Sequence, residues 1–401
     1  MRILQICHRI PYPAVDGGNI AMMNMALALL EAGHEVHQFA LNTTKHFIDP
    51  SCLPDDLREK LHFTSVKIDT TIRRSGAFRN LFTNESYNVV RFYNDEVERS
   101  LEKTLHANTF DIVQLETLFT TPYINCIRKN SGAKIVLRAH NVEHIIWDRL
   151  ADKERNIIRK RYLRMLASRL RKYELETLKL IDALVPITPV DENIFRKFHF
   201  KRPVLTTPMS IDIKEYLFDN KKTAAMNLFH LGSMDWMPNH EGVSWFLENC
   251  WTEIHRQHPQ LNLYLAGRNF PQEIMDRNFP NTFCEGRIED AQTYMSDKQI
   301  MIVPLLSGSG MRVKIVQGMA LGKTIISTTI GAEGIPAEHG KNILIADTPQ
   351  DFINVVGKCI DNEEWTRSIG NKARKFAIDH YSNASVGHQL GLFYNAIKKL
   401  A

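Results

Sequence analysis

The chain opens on a short apolar run at residues 2–8, followed by a turn-rich loop, R-I-P-Y-P-A-V-D-G-G-N. From residue 20 to 32 the apolar positions Met22, Met25, Ala26 and Leu29 recur at helical spacing, and Gly33 is the expected stop. The next run, H-E-V-H-Q-F-A-L, reads as a strand. A strand–helix–strand unit at this end of the chain predicts a parallel, doubly wound sheet. Further strands are predicted at 111–115, 134–137 and 183–186, and a long polar helix over much of 152–181. The alternation restarts at 227–231 and continues through a helix near 241–257 and the strand N-L-Y-L-A-G. Two more strands, at 299–306 and 324–328, flank a short helix that ends at Gly322. Two such series predict an α/β protein of two Rossmann-like domains, joined near 207–223. Ligands are expected beyond the carboxyl ends of the strands, in a cleft between the domains.

Length and composition narrow the class. A chain of 401 residues suits two domains better than one core. A hydrophobic content of 44% predicts a soluble globular protein. The formal net charge of +5 is too mild to argue for nucleic acid, and no nucleic-acid motif accompanies it. The longest apolar runs are strand-sized, so no membrane-spanning helix is predicted. The first residues lack a signal-peptide pattern. Six scattered cysteines without a C-x-x-C pair predict reduced thiols and no cysteine zinc site. The expected setting is the cytoplasm, with the inner face of a membrane as a peripheral docking place.

Candidate chemistry gathers at 307–322, S-G-S-G-M-R-V-K-I-V-Q-G-M-A-L-G. A helix start offers unpaired N–H groups and a partial positive charge, and glycines let a phosphate approach the main chain. Arg312 can fork onto phosphate oxygens, and Lys314 adds a point charge. Residues two apart on a helix point about 200° apart, so both cations can face one ligand only if Arg312 lies in the loop or first turn. Gln317 shares the face of Lys314 and can hydrogen-bond a sugar hydroxyl. A plain strand-to-helix turn with solvated cations is the alternative. Gly17 and Gly18 precede the first helix as an anion-binding turn would, or as an ordinary turn does. Neither loop is a G-x-G-x-x-G or a G-x-x-x-x-G-K-[ST] motif.

With these residues in view, the chain resembles the family 4 glycosyltransferases of the GT-B fold. The matching stretches are D-G-G-N at 16–19, R-A-H-N-V-E at 138–143, P-M-S-I-D at 208–212, G-S-M-D-W-M-P-N at 232–239, G-R-I-E-D at 286–290 and the loop just described. The last looks closer to a branch with a G-x-G-x-R-x-K loop. The resemblance implies domains near 1–210 and 211–380, and a final segment, 381–401, whose helix crosses back onto the first. It implies a nucleotide-sugar donor held mainly by the second domain, at Gly17, Gly18, Gly232, Ser233, Arg287, Ile288, Ser309, Gly310, Met311 and Gln317. It places His140 near the acceptor and the reacting sugar, the alternative being a hydrogen-bonded histidine that only fixes its loop; it puts Asn141 and Glu143 on the acceptor, though Glu143 could equally brace the loop, and it implies transfer with retention. Ser309 and Gln317 stand where the family has two glutamates, and Ser233 and Asn239 where a basic pair is common.

The expected reaction is metal-independent, because the sequence has no D-x-D triplet. Arg312, Lys314 and the helix mouth would instead stabilise the charge building on the departing diphosphate. No cofactor is expected; the partners are a nucleotide sugar and a saccharide or lipid-linked acceptor. A nucleotide-sugar epimerase and a non-catalytic nucleotide-sugar-binding protein are the competing readings. The stretch 155–172 has many cations, no acid, and Ile158, Tyr162, Met165, Leu166 and Leu170 interleaved. It is either a lipid-docking helix, to whose membrane face Arg73, Arg74 and Arg79 could add, or a domain helix with its apolar side packed inward.

Overall fold

The computed structural model describes all residues except 15–16, 72–79, 81–82, 84, 217, 219–224, 277, 309 and 401. Ser309, Arg73, Arg74 and Arg79 therefore lie outside the described residues. The chain divides into two compact units, one of Met1–Ser210 with Asn383–Ala401 and the other of Ile211–Ser382.

The first unit is built on β1 (Arg2–Cys7), β2 (Glu35–Thr43), β3 (Thr64–Ile68), β4 (Ile112–Glu116), β5 (Lys134–Ala139) and β6 (Ala183–Pro186). They pair in parallel in the order β3-β2-β1-β4-β5-β6. The second unit repeats the plan with β7 (Ala225–Leu231), β8 (Leu263–Ala266), β9 (Thr282–Gly286), β10 (Lys298–Val303), β11 (Thr324–Ser327) and β12 (Leu344–Ile345). Its order is β12-β11-β10-β7-β8-β9, again parallel. Each unit is thus a doubly wound Rossmann-like sheet. The central strands are buried on both faces and mostly apolar, with a few buried polar side chains in the first sheet. The helix Asn383–Lys398 belongs to the first unit, where Val386, Leu390, Tyr394 and Ile397 share a core with Ala26, Leu29 and Val36. A Cβ on Gly387 would lie 2.1 Å from the Ala28 carbonyl oxygen, so glycine permits this close helix contact.

Several elements differ from the sequence expectation. The first helix is Gly17–Glu31, so Gly17 and Gly18 are its first two residues and not a turn before it. The predicted helix over 152–181 is two helices, Glu143–Lys153 and Ile157–Thr177. Glu154 is extended, and the Asn156 side chain accepts from the Arg159 N–H at 3.0 Å to start the second helix. The helix predicted near 241–257 starts at Met237 and passes through a wider turn at Leu247–Trp251. Strands β3, β9 and β12 were not foreseen. All three lie toward sheet edges, and Phe283 of β9 is exposed, so their apolar signal is thin.

A polar row crosses the first sheet. Gln5 is in register with Gln38 and Gln114, and Glu116 with Cys7 and Arg138. All of these side chains are buried. Gln5 donates to Glu116 Oε1 at 2.8 Å and to the Met22 carbonyl at 3.0 Å, while Gln38 donates to Gln5 at 2.8 Å. Gln114 also donates to Glu116, and the Tyr394 hydroxyl donates to Gln114. Arg138 Nη1 lies 3.3 Å from Glu116 Oε2. Burial alone would raise the Glu116 carboxyl; Arg138 and His140 outweigh it and hold it at about 2.

Removing this carboxylate leaves the Arg138 charge buried without its counterion. Glu116→Ala is expected to cost about 3–5 kcal/mol in urea unfolding at neutral pH; a loss under about 1 kcal/mol, the scale of an exposed pair, would contradict the role. The folded carboxyl titrates below its ordinary 4.5, so its contribution is complete above that value and is lost as pH falls toward about 2. The variant should lack this acid-dependent loss.

Candidate active site

In the second unit, β10 leads into the helix Val313–Ala320 through a loop holding Gly308, Gly310 and Met311. Arg312 is the N-cap of that helix, with φ −87° and ψ 93°, so it lies in the loop and not on the helical face. Its side chain does not cap the first-turn amides. The guanidinium instead lies over the Trp236 ring, 5.0 Å from the centroid, and Nη1 donates to the Gly310 carbonyl. Arg312 is only 6% exposed, and Glu333 bears on its charge from the loop after β11. A Cβ on Gly308, at φ +118°, would lie 2.8 Å from Arg312 Nη2 and 3.1 Å from Trp236. The first loop glycine therefore makes room for the arginine. Gly310, at φ +84°, has open space where a Cβ would be.

Lys314 is half-buried and held by two side chains. Its ammonium donates to Asn239 Oδ1 at 2.9 Å and lies 3.4 Å from His230 Nε2. His230 is fully buried on β7, and its Nδ1 lies 3.0 Å from the Ile302 carbonyl. A carbonyl only accepts, so Nδ1 carries the proton and Nε2 presents a lone pair to the lysine. Burial, with Lys314 close by, keeps this imidazole neutral, well below its usual range. Asn239 is fixed in turn by donating to the Ser233 carbonyl at 2.9 Å. Burial first, and the Arg312 charge second, lower Lys314 to about 7.

The remaining predicted residues spread over neighbouring loops. Gly232 follows β7 and packs on Asn239; a Cβ there would lie 2.6 Å from Asn239 Nδ2. Ser233 donates to Asp235 at 3.1 Å. Arg287, exposed, and Ile288, half-buried, lie on the loop after β9. Gln317 donates to the Tyr216 hydroxyl at 3.1 Å, which leaves its carbonyl oxygen and second N–H for other partners.

In the first unit, His140 follows β5 and its Nε2 is 2.7 Å from Glu116 Oε2. A carboxylate held at about 2 is an acceptor, so Nε2 carries the proton and Nδ1 is the unprotonated nitrogen. Burial lowers His140 from its ordinary value, against the pull of Glu116. The end of β4 adds Thr117, a β-branched residue at φ +74°, whose hydroxyl is 3.4 Å from His8 Nδ1 at the end of β1. Asn141 is exposed, whereas Glu143 is buried at the first turn of Glu143–Lys153. Glu174 braces that turn, accepting from the Glu143 N–H at 3.1 Å and from His144 Nδ1 at 2.5 Å. Burial, then the Glu174 charge, raise the Glu143 carboxyl to about 7.

Sequence reasoning missed Glu116, His8, Thr117, His230, Trp236 and Glu333. Gln5 and Gln114 interrupting apolar strands were the signal for the first group. Glu35, His37 and His62 also cluster, but at the amino edge of the first sheet. The His37 and His62 rings stack at 4.3 Å and 14°, so their ring-plane lone pairs do not converge, and Arg2 already pairs with Glu35 at 2.9 Å.

Comparison with known proteins gives this geometry a context. Residues 225–362 match the family described as Glycosyl transferases group 1. An uncharacterized 44.6 kDa protein in the cps region of Klebsiella pneumoniae is 25% identical over 404 residues, 96% of this chain and 97% of that protein. Sucrose-phosphate synthase from Thermosynechococcus elongatus superposes with a TM-score of 0.68 at 15% identity, covering 99% of each chain. HepE of Anabaena, solved in complex with UDP, gives 0.64 at 14% identity, covering 99% of this chain and 100% of that one. The chain has the GT-B fold. Within this GT-B chain, Arg312, Lys314, His230, Trp236, Asn239 and Glu333 all fall inside the group 1 glycosyltransferase match.

The lysine makes a direct test. In a lysine-selective NMR titration, Lys314 should titrate near 7, far below the ordinary 10.5, and Arg312→Ala should raise its midpoint. An ordinary midpoint, or one that ignores Arg312, would contradict the arrangement.

Proposed function

We propose that the chain is a retaining glycosyltransferase of the family 4 type. It moves a sugar from a nucleotide-diphosphate sugar to a saccharide or lipid-linked acceptor, without a metal or other cofactor. The observation that carries the reading is the pair Arg312 and Lys314 at the mouth of the Val313–Ala320 helix, within the group 1 match. HepE of Anabaena, a neighbour in fold, has been solved with UDP and with UDP-glucose, which supports a nucleotide sugar as donor. The same reading sets the work in polysaccharide biosynthesis on the cytoplasmic side.

In this reading the bond between the anomeric carbon and the β-phosphate oxygen breaks with its electron pair left on the diphosphate, the acceptor hydroxyl oxygen bonds to that carbon on the same face, and the departing diphosphate takes the hydroxyl proton. Arg312, already desolvated against Trp236, and Lys314 oppose the new charge, together with the first-turn amides. Because Lys314 sits near 7, an arriving diphosphate favours its protonated form. Gly232, Ser233, Arg287, Ile288, Gly310 and Met311 line the donor, and Gln317 meets the nucleotide ribose through its remaining polar atoms. His140 Nδ1 accepts a hydrogen bond from a sugar hydroxyl, while Asn141 and Glu143 meet the acceptor. In the first unit, the first-turn amides of Gly17 and Gly18 are anion-binding donors.

The reading is tested by a thermal-shift screen of nucleotide sugars with and without divalent metal, since a ligand specific to the folded state raises apparent stability. Hits are then offered to saccharide and polyprenyl-phosphate acceptors. The expected outcome is one stabilising donor, metal-independent turnover, and a product with the donor's anomeric configuration. Donor turned into an epimer without acceptor, or bound without turnover, would replace the reading with an epimerase or a binding protein. Arg312→Ala should lower turnover by at least about a hundredfold; a folded variant with full activity would refute its role.

A further inference from the structure

The basic helix Ile157–Thr177 does not present its apolar stripe to the outside. Leu163, Leu166, Ala167 and Leu170 are buried, and Leu170 packs with Val89 and Leu118. The exposed apolar surface is at its start: Ile157 is 75% exposed and its neighbour Ile158 82%. Leu150, near the end of the preceding helix, is exposed as well. A lone exposed aliphatic is ordinary, but adjacent isoleucines at the turn of a two-helix hairpin, whose helices pack on each other, form an exposed apolar finger.

The charge around this finger is one-sided. Residues 149–164 contain seven cations (Arg149, Lys153, Arg155, Arg159, Lys160, Arg161 and Arg164) and two acids, Asp152 and Glu154. Both acids are engaged locally: Glu154 with Arg159 at 3.0 Å, Asp152 with Arg164 at 3.2 Å. Glu154 also accepts from the Asn156 N–H at 3.0 Å, and Asn156 caps the helix, so the finger is held in shape. Arg149, Lys153, Arg155 and Arg161 are exposed around it. No helix among the described residues is long and apolar enough to cross a membrane.

We infer that the hairpin tip docks on the anionic surface of a lipid bilayer, with Ile157 and Ile158 entering the headgroup–acyl boundary and the surrounding cations meeting lipid phosphates. Aliphatic side chains ringed by Lys and Arg are the chemistry that such an interface selects. A protein partner would have to supply an apolar socket inside an acidic rim; an anionic leaflet offers both features everywhere. The inference concerns where the chain works and stands apart from the transfer chemistry, so its test uses no sugar donor.

The full chain is floated with vesicles of phosphatidylcholine alone, or of phosphatidylcholine with phosphatidylglycerol. Flotation is expected with the anionic vesicles only and should weaken as salt rises. Ile157→Ser with Ile158→Ser should cut partitioning by at least about tenfold at an unchanged melting temperature. Arg155→Gln with Arg161→Gln should also weaken binding and flatten its salt dependence. Absence of flotation with anionic vesicles, equal binding to neutral ones, or an isoleucine double variant that binds like the parent would overturn the inference. So would a dimer in sedimentation velocity that the same double variant abolishes, which would assign the finger to a second copy of this chain.

Discussion

A charge placed within a parallel sheet has to be matched by side chains, because the backbone donors and acceptors around it are already committed to the strand ladder. The first sheet meets this constraint with a row of glutamines that converge on Glu116 and with Arg138 beside it. In the second unit the charge is on the helix that follows β10, where a neutral histidine of β7 and an asparagine hold Lys314. In both units the arrangement lies where the strands end, and it fixes the protonation pattern of the group that can meet a ligand. Glu116 dictates which nitrogen of His140 carries the proton. The Ile302 carbonyl does the same for His230, and so makes that ring an acceptor for the lysine.

The two cations at the helix mouth are held in different ways, and the difference is chemical. Arg312 keeps its charge at any working pH and is oriented by an aromatic face, with a glycine cleared to admit it. Lys314 is a point charge whose protonation responds to what lies next to it. A site built from both combines a fixed potential with one that strengthens when an anion arrives. Such a pair suits a diphosphate whose charge grows as it departs, which is the need that a metal meets in other enzymes.

Much of the architecture was legible in the sequence. Largely apolar runs between turn signals marked the central strands, since strands buried on both faces carry little alternation to confuse the reading. The edge strands β3, β9 and β12 were not legible, being short or partly exposed. The break at 154–156 was hidden because the helices on either side have the same polar composition, and only the Asn156 cap marks it. At the candidate site, the loop with Arg312 and Lys314 stood out through its glycines and its cations. Its supports did not. His230 sits in a run that reads as a plain strand, Trp236 and Glu333 come from separate loops, and the pairing of Glu116 with His140 depends on β4 lying beside β5. Sequence spacing shows what a loop contains; the topology of the sheet decides what it faces.

The central claim is that a diphosphate binds on these two cations, and a crystal structure with a nucleoside diphosphate tests it most directly. The account predicts a phosphate oxygen within about 3 Å of Lys314 Nζ and a second contact from the Arg312 guanidinium. A diphosphate bound elsewhere on the chain, with Lys314 still on Asn239 and His230 and Arg312 still lying over Trp236 away from it, would contradict the account.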